Sequence, residues 1–271
     1  MHLSAIYIYI IVAVIAAISG FIAGWMVGRR RRVVLPAQQP IDLPRDLHQR
    51  LLPPPTFDAD RLHVTARHVA ADHIAGDFYD FVSLPGGRLL VVLADIAGEG
   101  SAAAAVMPTL QAMVPRLAIE QTYAAALLGQ LNERLTGQLS RREFVALSLA
   151  IYEPSSSSLS IANAGLPDPL LISRDGAMRT IVINGPRYPI GIRRILNYES
   201  LTVKLADGDR ILFFTDGPPE ASVGAEPLGY ERFTSEVLRA RGDIDAIFAS
   251  LNALGAAHDD DWTAVMLERR E

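Results

Sequence analysis

The chain contains no cysteine among its 271 residues. This absence excludes disulfide bonds, zinc sites with thiolate ligands and catalysis by a cysteine nucleophile. It also fits a reducing compartment such as the cytosol. If the protein binds a metal ion, oxygen or imidazole groups have to provide the ligands.

Positive charge is scarce as well. The chain has 25 Lys and Arg against 30 Asp and Glu, a formal net charge of −5, so it lacks the broad basic surface of nucleic-acid-binding proteins. The sequence also has no Gly-x-Ser-x-Gly motif, the signature of a serine nucleophile elbow. Nucleic acid is therefore not an expected partner, and serine-based hydrolysis has no candidate residue.

The N-terminus, in contrast, carries a long apolar run. Residues 6–27 are 22 consecutive uncharged and mostly apolar residues, which as a helix would match the roughly 30 Å hydrocarbon layer of a bilayer. Four arginines follow at residues 29–32, whereas a cleaved signal peptide carries its positive charge first. Because positive residues stay in the cytoplasm, residues 1–32 are predicted to be a single-pass membrane anchor, with the rest of the chain cytoplasmic. The alternative, a buried core helix, rarely has so many uninterrupted apolar positions.

Two features, one within this run and one after it, are compatible with a homodimer. Gly20 and Gly24 have the spacing that supports helix pairing in membranes. Residues 33–56 contain six prolines and are predicted to be a linker. Within that linker, Leu43, Leu47 and Leu51 share one face of a short predicted helix. This face would either dock on the chain's own domain or form a dimer contact, and the sequence leaves both open.

Residues 57–271 are predicted to form one domain of strands and helices. Strands are predicted at residues 63–70, 78–84, 88–94, 143–153, 159–163, 169–173, 178–183, 200–205, 210–215 and 262–267. Helical periodicity predicts helices at residues 101–119, 123–139, 230–239 and 244–256. Short turns between consecutive strands favour antiparallel pairing. We therefore expect an α+β fold in which two mostly antiparallel sheets pack on each other between helices.

Four aspartates stand at or beside the ends of apolar, strand-like runs: Asp77, Asp95, Asp216 and Asp260. A single aspartate before a glycine is usually a turn residue or a helix cap. Asp95 and Asp216, however, end apolar runs, and neither motif contains a Lys or Arg that would offset the cost of burying a carboxylate. Carboxylates brought together at strand ends repel each other unless divalent cations neutralise them. The sequence therefore predicts a metal-dependent hydrolase.

Six short blocks occur in a fixed order along the chain. They are Gly-Asp-Phe-Tyr-Asp at 76–80, Ala-Asp-Ile-Ala-Gly-Glu-Gly at 94–100, Asn-Ala-Gly at 163–165, Pro-Ile-Gly-Ile at 189–192, Phe-Phe-Thr-Asp-Gly at 213–217 and Asp-Asp-Asp-Trp-Thr at 259–263. With these blocks, residues 45–268 resemble the bacterial SpoIIE/RsbU-like serine/threonine phosphatases of the protein phosphatase 2C superfamily. The resemblance implies a four-layer α-β-β-α sandwich with two Mn²⁺ or Mg²⁺ ions at one end of the sheets.

The resemblance also implies roles for individual residues. The metal ligands would be four carboxylates and one backbone carbonyl: Asp77, Asp95, Asp216, Asp260 and Ile96. Asp261 and Asp80 are the alternatives if the register is shifted. The implied reaction is hydrolysis of a phosphomonoester by a metal-activated water, without a covalent phosphoenzyme. The implied substrate is a phosphorylated regulatory protein, in this family often an anti-sigma-factor antagonist.

The chain departs from the family pattern at four places. It has Ala75, Glu99 and Leu166 where the family often has Gly, His and His, and it has Pro218 and Pro219 where the family often has Leu-Thr. None of these changes replaces a predicted ligand, and the two prolines are expected to stiffen the loop beside the site. The remaining alternative is a pseudophosphatase, a membrane-bound binding module that keeps the fold without turnover. The four intact aspartates argue against it.

Two other patterns point to different functions. Residues 98–103 have the Gly-x-Gly-x-x-Ala form of a dinucleotide-binding turn, but Asp95 would direct its charge at the pyrophosphate and Pro115 would interrupt the next central strand. His63, His68 and His73 are five residues apart, which alternates strand faces and does not suit a metal site. Arginine contacts to a phosphate are not assigned by any motif.

Overall fold

A computed structural model describes residues 52–71, 75–97, 101–140 and 142–271, without the side chains of 101–105. The predicted membrane anchor and the predicted short helix with Leu43, Leu47 and Leu51 lie outside these residues. In the part of the chain that is described, no helix is both long and apolar enough to cross a bilayer.

The described residues form strands and helices in the predicted α+β order. The strands are β1 (Thr56–Ala59), β2 (Leu62–Val69), β3 (Asp77–Ser83), β4 (Leu89–Ala97), β5 (Phe144–Glu153), β6 (Ser158–Ala164), β7 (Leu170–Ile172), β8 (Met178–Thr180), β9 (Leu201–Lys204), β10 (Arg210–Phe214), β11 (Ser222–Val223), β12 (Glu226–Pro227) and β13 (Trp262–Arg269). The helices are α1 (Ser101–Ala118), α2 (Ala124–Leu135), α3 (Gly217–Glu220), α4 (Tyr230–Arg239) and α5 (Ile244–Ala253).

Two large sheets form the centre of the fold. One has six strands in the order β1-β2-β13-β10-β7-β8, and the other has five in the order β3-β4-β5-β6-β9. Strands β11 and β12 form a separate hairpin. All strand pairings within the described residues are antiparallel. The prediction of two mostly antiparallel sheets is therefore confirmed.

Strand β4 shows how the layers are built. Leu89, Val91 and Leu93 pack into a core between the two sheets, whereas Leu90 and Val92 pack into a second core on the other face. Because successive side chains of a strand point to opposite faces, a strand buried on both faces needs apolar residues at every position. This explains why residues 89–94 read as a continuous apolar run.

Helices cover the outer face of each sheet. Leu110 of α1 and Leu127 of α2 pack on the five-stranded sheet. Val237 of α4 and Phe248 of α5 pack on the six-stranded sheet in a third core. Asp243 caps the N-terminus of α5, because its carboxylate accepts the backbone N–H of Ala246. The described residues thus form helix, sheet, sheet and helix layers.

Some elements differ from their predicted bounds. The helix predicted at 123–139 ends at Leu135, the strand predicted at 178–183 ends at Thr180, and the strand predicted at 262–267 continues to Arg269. The sequence predicts a stiff loop where α3 lies, because two consecutive prolines usually interrupt regular structure. Both prolines lie instead in the first turn of α3, where a proline removes no intrahelical hydrogen bond.

The topology excludes the dinucleotide-binding alternative. Such a fold needs a parallel strand on the far side of the helix that follows the glycine turn. Here β4 pairs antiparallel with β3 and with β5, and α1 is followed by α2 before the chain returns to the sheet as β5.

Candidate active site

Two predicted ligands, Asp77 and Asp95, face each other at the same end of the five-stranded sheet. Asp77 begins β3 and is the direct antiparallel partner of Asp95 on β4. Directly paired residues point to the same face of a sheet, with Cβ atoms about 4.5–5.5 Å apart. Asp77 is buried, with 2% of its surface exposed, and Asp95 is partly exposed. The register therefore brings the two carboxylates together.

The predicted backbone ligand, Ile96, lies beside this pair. Its N–H donates to the carbonyl oxygen of Gly76 at 3.1 Å. A Cβ added to Gly76 would lie 2.9 Å from the carbonyl oxygen of Ile96 and 3.2 Å from Oδ1 of Asp95. Gly76 therefore allows the chain before Asp77 to approach these two oxygens closely.

Asp216 reaches the site from the other sheet. It follows β10, and the backbone N–H of Thr215 donates to the carbonyl oxygen of Thr263 on β13 at 3.0 Å. Gly217 packs so tightly that an added Cβ would lie only 2.0 Å from the carbonyl oxygen of Asp261. The ends of β10 and β13 are thus held together, with Asp216 beside the 260–261 pair.

The structure separates the two register alternatives Asp260 and Asp261. The Asp261 carboxylate is buried and accepts the backbone N–H groups of Ala71 at 2.8 Å and Gly76 at 2.7 Å. It therefore holds the segment before Asp77 in place. Asp260 is exposed, and its carboxylate accepts only the N–H of Asp261 at 2.8 Å among its described contacts.

The other alternative, Asp80, lies away from the cluster. It is three residues after Asp77 on β3, and residues an odd number apart on a strand point to opposite faces. Its carboxylate accepts the N–H of Phe81 at 2.8 Å. Burial alone raises its pKa, with no contribution from the other aspartates.

Burial and mutual repulsion raise the pKa values of the clustered carboxyl groups. The pKa of Asp95 is raised to about 7 by burial first and then by Asp216, Asp260 and Asp261. Burial and the charge of Asp95 also raise the pKa of Asp77 well above its usual value. Burial and the charge of Asp260 raise the pKa of Asp216, although backbone hydrogen bonds oppose them. Carboxylates from both sheets therefore share one electrostatic environment.

Three members of this cluster, Asp95, Asp216 and Asp260, form no ion pair with a basic side chain within the described residues. None of the ion pairs found there includes Asp95, Asp216 or Asp260. In the same residues, no three His, Asp or Glu side chains converge closely enough to ligate one ion as they stand. The donor set nevertheless fits a hard cation, because it consists of carboxylate and carbonyl oxygens, the ligands that such cations prefer.

A cavity of about 480 Å³ opens beside Asp216. Its lining includes Arg187, Asp168, Glu220 and Tyr230. The guanidinium of Arg187 donates to the carboxylate of Asp168 at 2.9 Å and to the carbonyl oxygen of Leu166 at 2.7 Å. Arg187, which no motif assigned, therefore borders the site.

Sequence reasoning missed two buried hydroxyls at the site. Thr215 and Thr263 each donate a hydrogen bond to Oδ2 of Asp77, at 2.9 and 2.5 Å. Both threonines belong to sequence blocks that stand out because of their aspartates. Their place next to those aspartates is the signal from which they could have been found. Of the evenly spaced histidines, His63 has Nδ1 2.6 Å from Oδ1 of Asp58, and His68 has Nδ1 2.8 Å from Oγ1 of Thr263. His73 lies outside the described residues.

Comparison with known proteins places the chain in a family. It matches the model of the SpoIIE family, stage II sporulation protein E, over residues 85–270. It is 24% identical over 237 residues to phosphoserine phosphatase RsbU of Bacillus subtilis (strain 168). This match covers 85% of the present chain and 70% of RsbU. Phosphoserine phosphatase RsbP of the same organism is 21% identical over 188 residues, 68% of this chain and 46% of RsbP. The chain thus spans less than half of RsbP.

Solved structures share the fold. The SiaA-PP2C domain of Pseudomonas aeruginosa matches with a TM-score of 0.69 and 20% identity, over 85% of this chain and 95% of that domain. RsbX, solved in complex with magnesium, matches with a TM-score of 0.59 and 15% identity, over 78% of this chain and 97% of RsbX. The fold is therefore PP2C-like. Because the family match covers most of the chain, the chain belongs to the SpoIIE family of PP2C-type protein serine/threonine phosphatases, as its six sequence blocks predicted.

Proposed function

We propose that the chain hydrolyses phosphoserine or phosphothreonine in a regulatory protein and requires divalent metal ions to do so. The observation that carries this proposal is the carboxylate cluster contributed by both sheets. In this cluster the pKa of Asp95 is raised to about 7, and Asp95 has no ion-pair partner among the described residues. A phosphate monoester is itself negative, so it can approach this cluster only if cations are present. Family membership supports the protein phosphatase reaction.

The metal site would be formed by residues from both sheets. Its ligands would be the carboxylates and the carbonyl predicted from sequence: Asp77, Asp95, Asp216, Asp260 and Ile96. Two Mn²⁺ or Mg²⁺ ions bound there would lower the pKa of a shared water and neutralise the phosphoryl oxygens. The protein's own contribution is positional, because β3 and β4 carry three of these five ligands and the segments next to the ends of β10 and β13 carry the other two.

The cavity beside Asp216 is the proposed place for the substrate segment that carries the phosphate. It adjoins the carboxylate cluster and contains both signs of charge, from Arg187 and from Glu220. The attacking nucleophile is proposed to be water, since the chain has no cysteine. The proposed substrate is a phosphorylated regulatory protein such as an anti-sigma-factor antagonist.

The proposed location is the cytoplasmic side of the inner membrane. Support comes from the apolar run at residues 6–27 and the arginines at 29–32. A homodimer formed through Gly20 and Gly24, or through the leucine face at residues 43–51, is the proposed route by which input reaches the phosphatase domain. Only the sequence supports this part of the proposal.

Hydrolysis of p-nitrophenyl phosphate by the full chain in detergent micelles tests the reaction. We expect turnover with Mn²⁺, none with EDTA, and a loss of at least about 100-fold in Asp216→Ala, because neutralising a phosphoryl oxygen is worth several kcal/mol. Glu268→Gln, which removes a carboxylate from the far end of the adjacent strand, is the matched control and should stay active. Equal rates in the wild type and Asp216→Ala, or none in either, would instead indicate a pseudophosphatase.

A further inference from the structure

Two hydroxyls of the six-stranded sheet hold a carboxylate of the five-stranded sheet. Oγ1 of Thr215 and Oγ1 of Thr263 both donate to Oδ2 of Asp77, at 2.9 and 2.5 Å. The three residues are buried, with exposed fractions of 0%, 0% and 2%. We call this arrangement the Asp77 clasp. It joins the two sheets at the end where the predicted ligands meet.

The hydrogen bonds of the clasp require each threonine hydroxyl to donate only one proton. A threonine hydroxyl has a single proton to donate and lone pairs to accept with. Oγ1 of Thr215 accepts the backbone N–H of Thr263 at 3.2 Å. Its own proton has two acceptors in reach, and Oδ2 of Asp77 at 2.9 Å is closer than the carbonyl oxygen of Thr263 at 3.4 Å. Oγ1 of Thr263 lies 2.8 Å from Nδ1 of His68. With Nδ1 as the donor, the proton of Thr263 is also directed to Asp77.

The clasp has an electrostatic consequence at Asp77. Burial and the neighbouring charge of Asp95 disfavour the ionised carboxylate, and the two hydroxyl hydrogen bonds oppose them. Hydrogen bonds to an ionised group are shorter and stronger than those between neutral groups. The two hydroxyls converge on the same oxygen, Oδ2, and so fix the position of the Asp77 carboxylate.

The clasp also determines how the two halves of the site face each other. Asp77 and Asp95 belong to β3 and β4 of one sheet, whereas Asp216 and Asp260 flank the β10–β13 pair of the other. Thr215 immediately precedes Asp216, and Thr263 follows Asp260 by three residues. A hydrogen bond from either threonine to Asp77 therefore links the halves within three residues of a proposed ligand.

We propose that Thr215 and Thr263 are positioning residues whose hydroxyls hold the Asp77 carboxylate against the second sheet and so set the spacing of the metal site. This inference rests on the proposed function, because it assumes that the carboxylate cluster binds divalent ions. Valine has nearly the volume of threonine but no hydroxyl, and serine keeps the hydroxyl without the methyl group. The two substitutions separate hydrogen bonding from packing.

The test measures Mn²⁺ binding to the full chain in detergent by isothermal titration calorimetry. Thr215→Val and Thr263→Val should weaken Mn²⁺ binding by about tenfold or more, the range typical of residues that orient metal ligands. Thr215→Ser and Thr263→Ser should stay within about threefold of the wild type, since the hydroxyl remains. Ser148→Ala is the matched control, because the Ser148 hydroxyl is buried and has no hydrogen-bond partner among the described residues.

A second readout is the split between kcat and KM for p-nitrophenyl phosphate. At saturating Mn²⁺ the valine variants should lose kcat while KM stays near the wild-type value, because the clasp touches no substrate. Thermal unfolding in EDTA reports folding without metal. If a valine variant does not fold, the serine variant decides: Mn²⁺ affinity near the wild-type value supports the clasp, and a tenfold loss in a folded serine variant overturns it.

The remaining outcomes separate this inference from the proposed function. Folded valine variants that bind Mn²⁺ like the wild type, or serine variants as weak as the valine ones, would overturn the positioning role alone. A wild-type protein that neither binds Mn²⁺ nor hydrolyses the aryl phosphate would overturn both.

Discussion

The two ends of the β10–β13 strand pair differ in whether their charged side chains form ion pairs. At one end, Asp216 and Asp260 have no ion-pair partner among the described residues. At the other end, Arg210 pairs with Glu268 at 2.6 Å, and Arg269 pairs with Asp207 at 2.8 Å. The same two strands thus carry self-neutralised charge at one end and uncompensated negative charge at the other.

This difference shows where the protein depends on its surroundings. Partly buried carboxylates close to arginines are stabilised within the fold. Clustered carboxylates without arginines have raised pKa values, because burial and repulsion both favour the neutral form. Binding of protons or cations from solution should therefore stabilise the site end, and each test below changes one side of this contrast.

The largest expected effect is a pH dependence of the metal-free protein. Burial and neighbouring carboxylates raise the pKa of Asp95 from its usual 3.8 to about 7 in the folded state, so between these values the folded state binds more protons than the unfolded state. In EDTA the free energy of unfolding should therefore fall as pH rises from about 4 to about 7, by about 4 kcal/mol. Urea unfolding at several pH values measures it.

Asp95→Asn provides the comparison for this pH dependence. The variant should show a smaller decrease, because Asp77 and Asp216 still have raised pKa values, and it should be more stable than the wild type at pH 8 in EDTA. Glu268→Gln should keep the wild-type slope. In saturating Mn²⁺ the wild-type slope should reverse, because a cation binds the ionised carboxylates only. Identical pH profiles of Asp95→Asn and the wild type would contradict the raised pKa.

A smaller effect is expected from replacing one glycine at each end of the β10–β13 strand pair by alanine. A Cβ on Gly217 would lie 2.0 Å from the backbone oxygen of Asp261, whereas a Cβ on Gly208 would meet the flexible side chain of Arg174 at 2.9 Å. Gly217→Ala should therefore lose about 3 kcal/mol of unfolding free energy together with most of its hydrolysis. Gly208→Ala, whose φ of +89° disfavours a side chain, should lose about 1 to 2 kcal/mol.

Urea midpoints and p-nitrophenyl phosphate rates of both variants check this prediction. Gly208→Ala should remain fully active, since it lies at the end with the arginine pairs. Gly217→Ala with wild-type stability and rate would show that the close approach to Asp261 is not required.

The smallest effect is expected from the ion pair at the far end. Glu268→Gln removes the charge that partners Arg210, and because both side chains are partly exposed the loss should be about 1 kcal/mol, the upper range for exposed pairs. Thermal unfolding at low and high salt measures it, and the difference from the wild type should shrink at high salt. Mn²⁺ affinity should not change, and a weakened affinity would mean that the two ends are coupled.

Much of the fold could be predicted because local patterns agree with tertiary structure. The run at residues 89–94 predicted a buried strand, and the turns between strands predicted antiparallel sheets. Helix α3 could not be predicted in this way, because two prolines are typical of a turn and only the surrounding packing shows that they occupy a first helical turn. The role of Asp261 was also hidden, since its partners Ala71 and Gly76 are almost 190 residues away.

The sequence by itself determined the kind of chemistry. A chain without cysteine that ends apolar strands in aspartates, in six blocks of a known order, predicts a phosphatase of a known family and excludes thiolate chemistry. Tertiary structure decided which aspartates meet and what holds them: the β3–β4 register paired Asp77 with Asp95, and two threonines from the opposite sheet reached Asp77. The physical reason is that strand ends distant in sequence become neighbours only when two sheets pack face to face.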